Sequence, residues 1–356
     1  MSFPFLQPYA GLGNSLQTAQ AAVGGAGGIG GWVELGRTTL GSAGDDITVS
    51  SLPDKRYYMI LSNSIPTGNV DCAWRTGNGS VDTGNNYASR ASQDGGAETT
   101  ATTTDRIRAG LSGTISAPQF HMGFWSNLSS KEKLFIGHSM GQNTAGAGTA
   151  PTRRENVGKW TSVSNSLDTL TATNAGAGSH NTGSELVVLG WDPADTHTSN
   201  FWEELADASW SSGQTMDSGS FTSKKYLWIQ YYVKSSGLCR DTIRFNSDTG
   251  NNYSKRKSDD GGSDSTTTSN PEIRSQGLRY NISYGSFFVV NNSSNEKLVT
   301  GHFVGQDSSG AGAANAPSRT EAVGKWANTS SQISSVQIYD LTTNFTGGQI
   351  KVWGAD

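Results

Sequence analysis

The chain has 356 residues, 45 of them glycine and 34% of them apolar, with 26 Lys and Arg against 30 Asp and Glu for a net charge of −4. It contains no run of about 18 apolar residues, which argues against a membrane-spanning helix, and its slightly acidic balance with scattered Lys and Arg argues against nucleic acid as a partner. Two cysteines exclude a disulfide framework, while 10 Trp, 11 Tyr and 12 Phe set in short apolar stretches among Gly, Ser and Thr point to an all-β protein of about two domains.

In chain order, residues 1–31 come first and stand apart. Phe3, Phe5, Leu6 and Tyr9 make an apolar opening interrupted by proline. The spacing of Leu16, Ala19 and Val23 predicts a short helix over 14–23. A run of glycines over 24–31 then forms a flexible spacer. The opening lacks a basic n-region, so a secretory signal is not expected. An apolar arm on a glycine tether is expected to anchor the chain on a partner. The competing expectation is a loose terminus that packs on its own domain.

The rest of the chain is a duplication. Asp-Thr-Gly-Asn-Asn-Tyr ends at Tyr87 and again at Tyr253, 166 residues later, and Val-Gly-Lys-Trp ends at Trp160 and Trp326, at the same offset. Ser-x-Asp-Gly-Gly begins at Ser92 and Ser258, Glu-Lys-Leu at Glu132 and Glu296, and Trp-x-Glu-Leu at Trp32 and Trp202. The order is kept while the offset drifts by a few residues, as in a copied domain with small loop insertions. The period is too long for a solenoid unit of about 20–50 residues. The expected organisation is an arm over 1–31, copy one over 32–192, a polar linker over 193–200 and copy two over 201–356.

Short runs bounded by turn residues predict strands at 47–50, 56–62, 70–76, 115–126, 133–140, 157–163 and 185–191. Copy two has them at 226–233, 242–246, 282–291, 297–304, 323–326, 333–338 and 349–353. Seven or eight strands in each copy predict two tandem jelly-roll-like β-sandwich domains.

The repeated polar loop is read first as a tight turn with an anchored tyrosine. As oxygen ligands for calcium, Asp82, Asn85 and Asp94, with Asp248, Asn251 and Asp260 in copy two, are weak candidates, because no EF-hand spacing is present. No other cofactor is expected, and the five histidines lack zinc spacing. Trp160 and Trp326 are read as core residues or, alternatively, as platforms for a glycan. Glycine- and alanine-rich loops lead into Arg153 and Arg319, which makes these two arginines interface candidates. His138 and His302 share a repeat position on a partly buried strand face, and the reading for both is a structural histidine. Glu132 and Glu296 are expected to pair at the surface with Lys133 and Lys297. Cys72 and Cys239, 167 residues apart, are read as equivalent, half-buried free thiols. No nucleophile–base–orienter set is apparent, so no enzymatic activity is expected.

Taken with Trp-x-Glu-Leu-Gly-Arg-Thr-Thr-Leu from Trp32, with Ala-Pro-x-Arg-x-Glu-x-Val-Gly-Lys-Trp, and with the Phe-Pro-Phe-Leu-Gln-Pro-Tyr start, these motifs resemble a β-sandwich module of virion structural proteins of marine tailed phages. The resemblance spans both copies. It implies a non-enzymatic virion component made in the host cytoplasm, a capsid-surface decoration or fibre protein. Its implied partners are other virion proteins such as the major capsid protein, and further copies of itself as a homo-oligomer. It carries over no functional residue. The alternatives are a receptor- or glycan-binding module of a tail fibre, directed at a host surface glycan, and a double jelly-roll shell protein.

Overall fold

The computed structural model describes residues 31–111, 116–195, 199–274, 280–306 and 312–356. The arm residues Phe3, Phe5, Leu6 and Tyr9 lie outside the described residues.

The first half contributes β1 (Val33–Thr39), β2 (Asp46–Val49), β3 (Tyr57–Ser64), β4 (Cys72–Gly77), β5 (Tyr87–Gln93), β6 (Thr99–Thr104), β7 (Ile107–Arg108), β8 (Gln119–Ser126), β9 (Lys133–Gly141), β10 (Thr152–Trp160), β11 (Thr169–Asn174) and β12 (Glu185–Trp191). The second half contributes β13 (Glu203–Trp210), β14 (Thr215–Asp217), β15 (Tyr226–Cys239), β16 (Asp241–Phe245), β17 (Tyr253–Asp259), β18 (Ser265–Asn270), β19 (Ile273–Arg274), β20 (Tyr280–Val290), β21 (Lys297–Gly305), β22 (Ser318–Trp326), β23 (Val336–Asp340) and β24 (Phe345–Ala355).

Each half is a jelly-roll-like sandwich of an eight-stranded and a four-stranded antiparallel sheet. The first runs β1-β12-β3-β8-β9-β10-β5-β6 over β2-β11-β4-β7. The second repeats that order strand for strand, as β13-β24-β15-β20-β21-β22-β17-β18 over β14-β23-β16-β19.

Several strands carry no hydrophobic alternation and escape a reading by periodicity. The β6 segment is Thr-Thr-Ala-Thr-Thr-Thr. The β11 segment, Thr-Leu-Thr-Ala-Thr-Asn, is buried almost throughout; Thr48 and Thr171 meet there at 3.0 Å between hydroxyls. Threonine suits a pleated surface without announcing a core face.

The repeated Val-Gly-Lys-Trp owes its glycine to packing. A Cβ on Gly158 would stand 2.6 Å from Ile107 Cδ1, and one on Gly324 would stand 2.7 Å from Ile273 Cδ1. Ile107 and Ile273 are buried in the two sandwich cores.

The two cysteines are not equivalent. Cys72 pairs across β11 with Asn174, and the matching place in copy two, opposite Asp340, holds Asp241. Cys239 ends β15 instead. Both thiols are fully buried instead of half-buried. Burial pushes the Cys239 thiol up to about 12 and raises Cys72 as well.

A third apolar layer lies between the sandwiches. On β3, Tyr58 and Ile60 point into the first core while Met59 and Leu61 point outward. The outward pair joins Phe120, Met122, Val187 and Leu189 against Trp202, Tyr226, Phe288, Val290 and Trp353 of the second half. The eight-stranded sheets therefore pack back to back. Their central strands, buried on both faces, read as continuous apolar runs.

Candidate functional site

The repeated loops brace each sandwich. Asp82 Oδ1 accepts from Gly84 N–H (2.8 Å) and Oδ2 from Asn86 Nδ2 (2.9 Å) and from the Trp160 indole (2.7 Å). Asp248 repeats all three bonds with Gly250, Asn252 and Trp326, at 2.8, 2.9 and 2.7 Å. Burial alone would raise these carboxyls, but the hydrogen bonds outweigh it and hold both below their ordinary value. The tyrosine that closes each motif is buried, with Tyr87 donating to Thr76 O (2.7 Å) and Asp82 O (2.9 Å).

This geometry corrects two expectations. Trp160 and Trp326 are 4% and 1% exposed, so neither offers a ring face to a glycan. The calcium candidates do not gather as a ligand shell. Asp82 and Asp248 are engaged as above, and Asn85 and Asn251 are exposed. Asp94 accepts from Arg153 N–H (2.9 Å), and Asp260 accepts from Arg319 N–H (2.9 Å). No group of three His, Cys, Asp or Glu able to hold a metal occurs among the described residues. The Glu–Lys expectation also fails. Lys133 and Lys297 are buried beneath Trp160 and Trp326, 5.6 and 5.8 Å from the ring centroids, and they donate to loop carbonyls. Glu132 instead pairs with Lys159 at 2.9 Å.

The charged residues that repeat at β9–β10 and β21–β22 come together on the seam. His138 and His302, which lie opposite Glu155 and Glu321 on neighbouring strands, meet with ring centroids 4.5 Å apart. Burial, then the neighbouring imidazole, pushes His138 down to about 3, and burial lowers His302 too. Glu155 and Glu321 line the same cleft, each acting on the other's carboxyl. Burial, then the Glu321 carboxyl, pushes Glu155 up to about 7, while Glu321 is held below its ordinary value. Like charges in one site thus push their titrations apart.

The seam is asymmetric. On one side Arg153, 8% exposed at its side chain, forms a fork on Asp264 at 2.6 and 2.9 Å and also contacts Glu155 and Glu321. Its equivalent Arg319 is 61% exposed and, among the described residues, its guanidinium pairs with Glu321 at 3.0 Å. Of the two expected interface arginines, the fold buries one and leaves the other in solvent. On the open side lies a cleft of about 380 Å³ lined by Arg90, Glu98, Ile136, His138, Glu155, Val157, His302 and Glu321. Ser92, the hydroxyl on its wall, donates to Gly96 O at 2.9 Å. The lining does not compose a nucleophile–base set.

Periodicity places Leu134, Ile136 and His138 on one strand face, but that face is the outer one. Leu134 and Ile136 are 56% and 52% exposed. The missed signal was the unbroken apolar runs at 58–61 and 186–189, which mark strands covered on both faces.

No protein-family model matches the sequence, and no curated protein matches it. Among solved structures, the chain is similar to the LG1-3 region of the laminin alpha2 chain, at 8% identity over 87% of this chain and a TM-score of 0.22. The match spans 64% of that laminin chain. It is also similar to domains LG4-5 of the mouse laminin alpha1 chain, at 10% identity over 92% of this chain and 91% of that one, with a TM-score of 0.20. This is a weak structural similarity to laminin G-like β-sandwich domains.

Proposed function

We propose that the chain is a non-enzymatic structural component of a tailed-phage virion, a capsid-surface decoration or fibre protein. It is made in the host cytoplasm and attached through residues 1–31 to other virion proteins such as the major capsid protein. One observation carries the structural role: the apolar layer between the eight-stranded sheets joins two sandwiches into one stiff block. A part that must hold its shape at high copy number gains from that layer. The use of the repeated acids and histidines in braces and seam pairs supports the non-enzymatic reading. The virion assignment is supported by the sequence resemblance. Mass spectrometry of purified particles tests it, with a variant lacking 1–31 as the second arm. The protein is expected in particles and the truncated form is not. Full incorporation of the truncated form overturns the anchoring role.

A second reading, recognition of a host surface glycan, is favoured by a different pair of rings. Tyr57, 40% exposed, stacks on Trp191 with centroids 5.6 Å apart at the outer surface. Aromatic faces of this kind seat sugars. Glycan-array binding lost on Trp191→Ala supports it, and an array with no binding removes it.

A further inference from the structure

Among the described residues, the same strand pair is covered in one sandwich and bare in the other. In copy two the segment 142–151 of copy one lies across β21, β22, β17 and β18. Lys325 Nζ donates to Gln142 O (3.0 Å) and to Thr144 O, and Glu296 accepts from Gly146 N–H. Ser269 N–H donates to Ala147 O (2.8 Å), Ser254 Oγ to Thr149 O (3.0 Å) and Arg256 Nε to Pro151 O (2.9 Å). Beside that segment Leu298 and Val323 are 0% and 3% exposed, in the apolar layer they share with Met140 of the first half.

Copy one presents the equivalent groups without a cover among the described residues. Leu134 and Val157, the equivalents of Leu298 and Val323, are 56% and 45% exposed, with Ile136 between them at 52%. Lys159 and Glu132 stand where Lys325 and Glu296 stand, 41% and 38% exposed at their side chains. Arg90 stands where Arg256 does. The described part of the matching segment of copy two, 312–317, is bare too. Ala313, Ala316 and Pro317 are exposed, whereas their equivalents Ala147, Ala150 and Pro151 are buried.

We propose that the open face of β9–β10 takes residues 312–317 of a second copy of this chain, seated as 146–151 is seated on β21–β22. The receptor groups suit that occupant. Lys159 and Arg90 donate to the carbonyls of an extended segment, Glu132 accepts an N–H, and the three apolar side chains cover its alanines. The face is continuous with the seam cleft, so the contact enlarges an interface the fold already has. Receptor and segment belong to opposite halves of the chain, so the contact is heterologous and links molecules head to tail.

The test uses the full chain. A variant carrying Thr103→Cys is mixed with one carrying Ala313→Cys. These are the equivalents of Ser269 and Ala147, which hydrogen-bond in the seated segment. Oxidation is expected to give a mixed disulfide between the two chains, with buried Cys72 and Cys239 not taking part. Sedimentation is expected to show concentration-dependent association, weakened about tenfold or more by Ile136→Lys and by Ala316→Glu. Both positions are exposed, so unchanged melting confirms that each variant is folded. A chain monomeric at every concentration, no mixed disulfide, or a disulfide forming only when both cysteines share one chain overturns the proposal. Particle incorporation is read separately, so failure here leaves the virion reading to its own test.

Discussion

The ring of His138 packs edge-on against that of His302, its own repeat equivalent, at 4.5 Å and 71°. Two copies of one residue therefore meet at the contact between the copies, and the ring of His302 adds to the burial that disfavours a proton on His138.

That pair and its acidic neighbours give the seam a two-sided pH response. In the unfolded chain the imidazoles titrate near 6.5, whereas in the fold burial, then the partner ring, holds His138 down to about 3. Burial also lowers His121 and His180 to about 3 and about 4. Their contribution is present above pH 6.5 and is lost as pH falls below it. Glu155 acts in the opposite sense. Raised from 4.5 to about 7, it stabilises fully below pH 4.5 and loses that contribution as pH rises through 7. Thermal unfolding from pH 3 to 8 is expected to show both limbs. Glu155→Gln, which keeps an N–H donor toward Glu321, is expected to abolish the decline between 4.5 and 7 and leave the acid limb. A decline that persists in this variant places its origin elsewhere.

The arginines separate by burial. Asp264→Asn leaves Arg153 charged and under-partnered where its side chain is 8% exposed, and removing one partner of a buried pair costs about 3–5 kcal/mol. Arg319→Ala acts on a side chain that is 61% exposed and is expected to cost at most about 1 kcal/mol. Denaturant unfolding of the two variants side by side checks the contrast, and equal losses would contradict the asymmetric seam.

The loop brace is expected to hold without a metal, because its acceptors are engaged by N–H donors. Asp248→Ala removes the acceptor of the Trp326 indole and of Gly250 N–H, and charge-assisted bonds of this kind contribute about 1.5–3 kcal/mol. A melting curve recorded with and without EDTA is expected to be the same for the unmodified protein. A chelator-dependent shift would restore the calcium reading of Asp82, Asn85 and Asp94.

The layer between the sandwiches is open to direct attack. Trp202 is fully buried in it, and Trp202→Ala is expected to cost about 3–5 kcal/mol. Leu189→Lys places a charge between the sheets without touching either sandwich core. Calorimetry of that variant is expected to resolve two transitions where the unmodified chain shows one. A single transition in both would mean that the sandwiches do not depend on the layer for their cooperativity.

The duplication was legible because copied motifs return in order, and the all-β class because turn residues punctuate short apolar runs. The Asp-Thr-Gly-Asn-Asn-Tyr loop was legible as a turn, since Asp82 caps Gly84 N–H only two residues away. Local chemistry of this kind is written into neighbouring residues. The threonine strands β6 and β11 were not, because their pairing depends on what lies across the sheet.

What the sequence alone determined was one sandwich, made twice. What only the tertiary structure decided is how two equal faces come to differ. Leu134 and Leu298 end the same Glu-Lys-Leu motif on the equivalent strands β9 and β21, yet one is 56% exposed and the other 0%. Alternation along a strand assigns a side chain to a face. Whether that face is dry depends on what packs over it: Leu298 joins the apolar layer with the first half, beside the loop that Lys325 and Glu296 hold, and Leu134 does not.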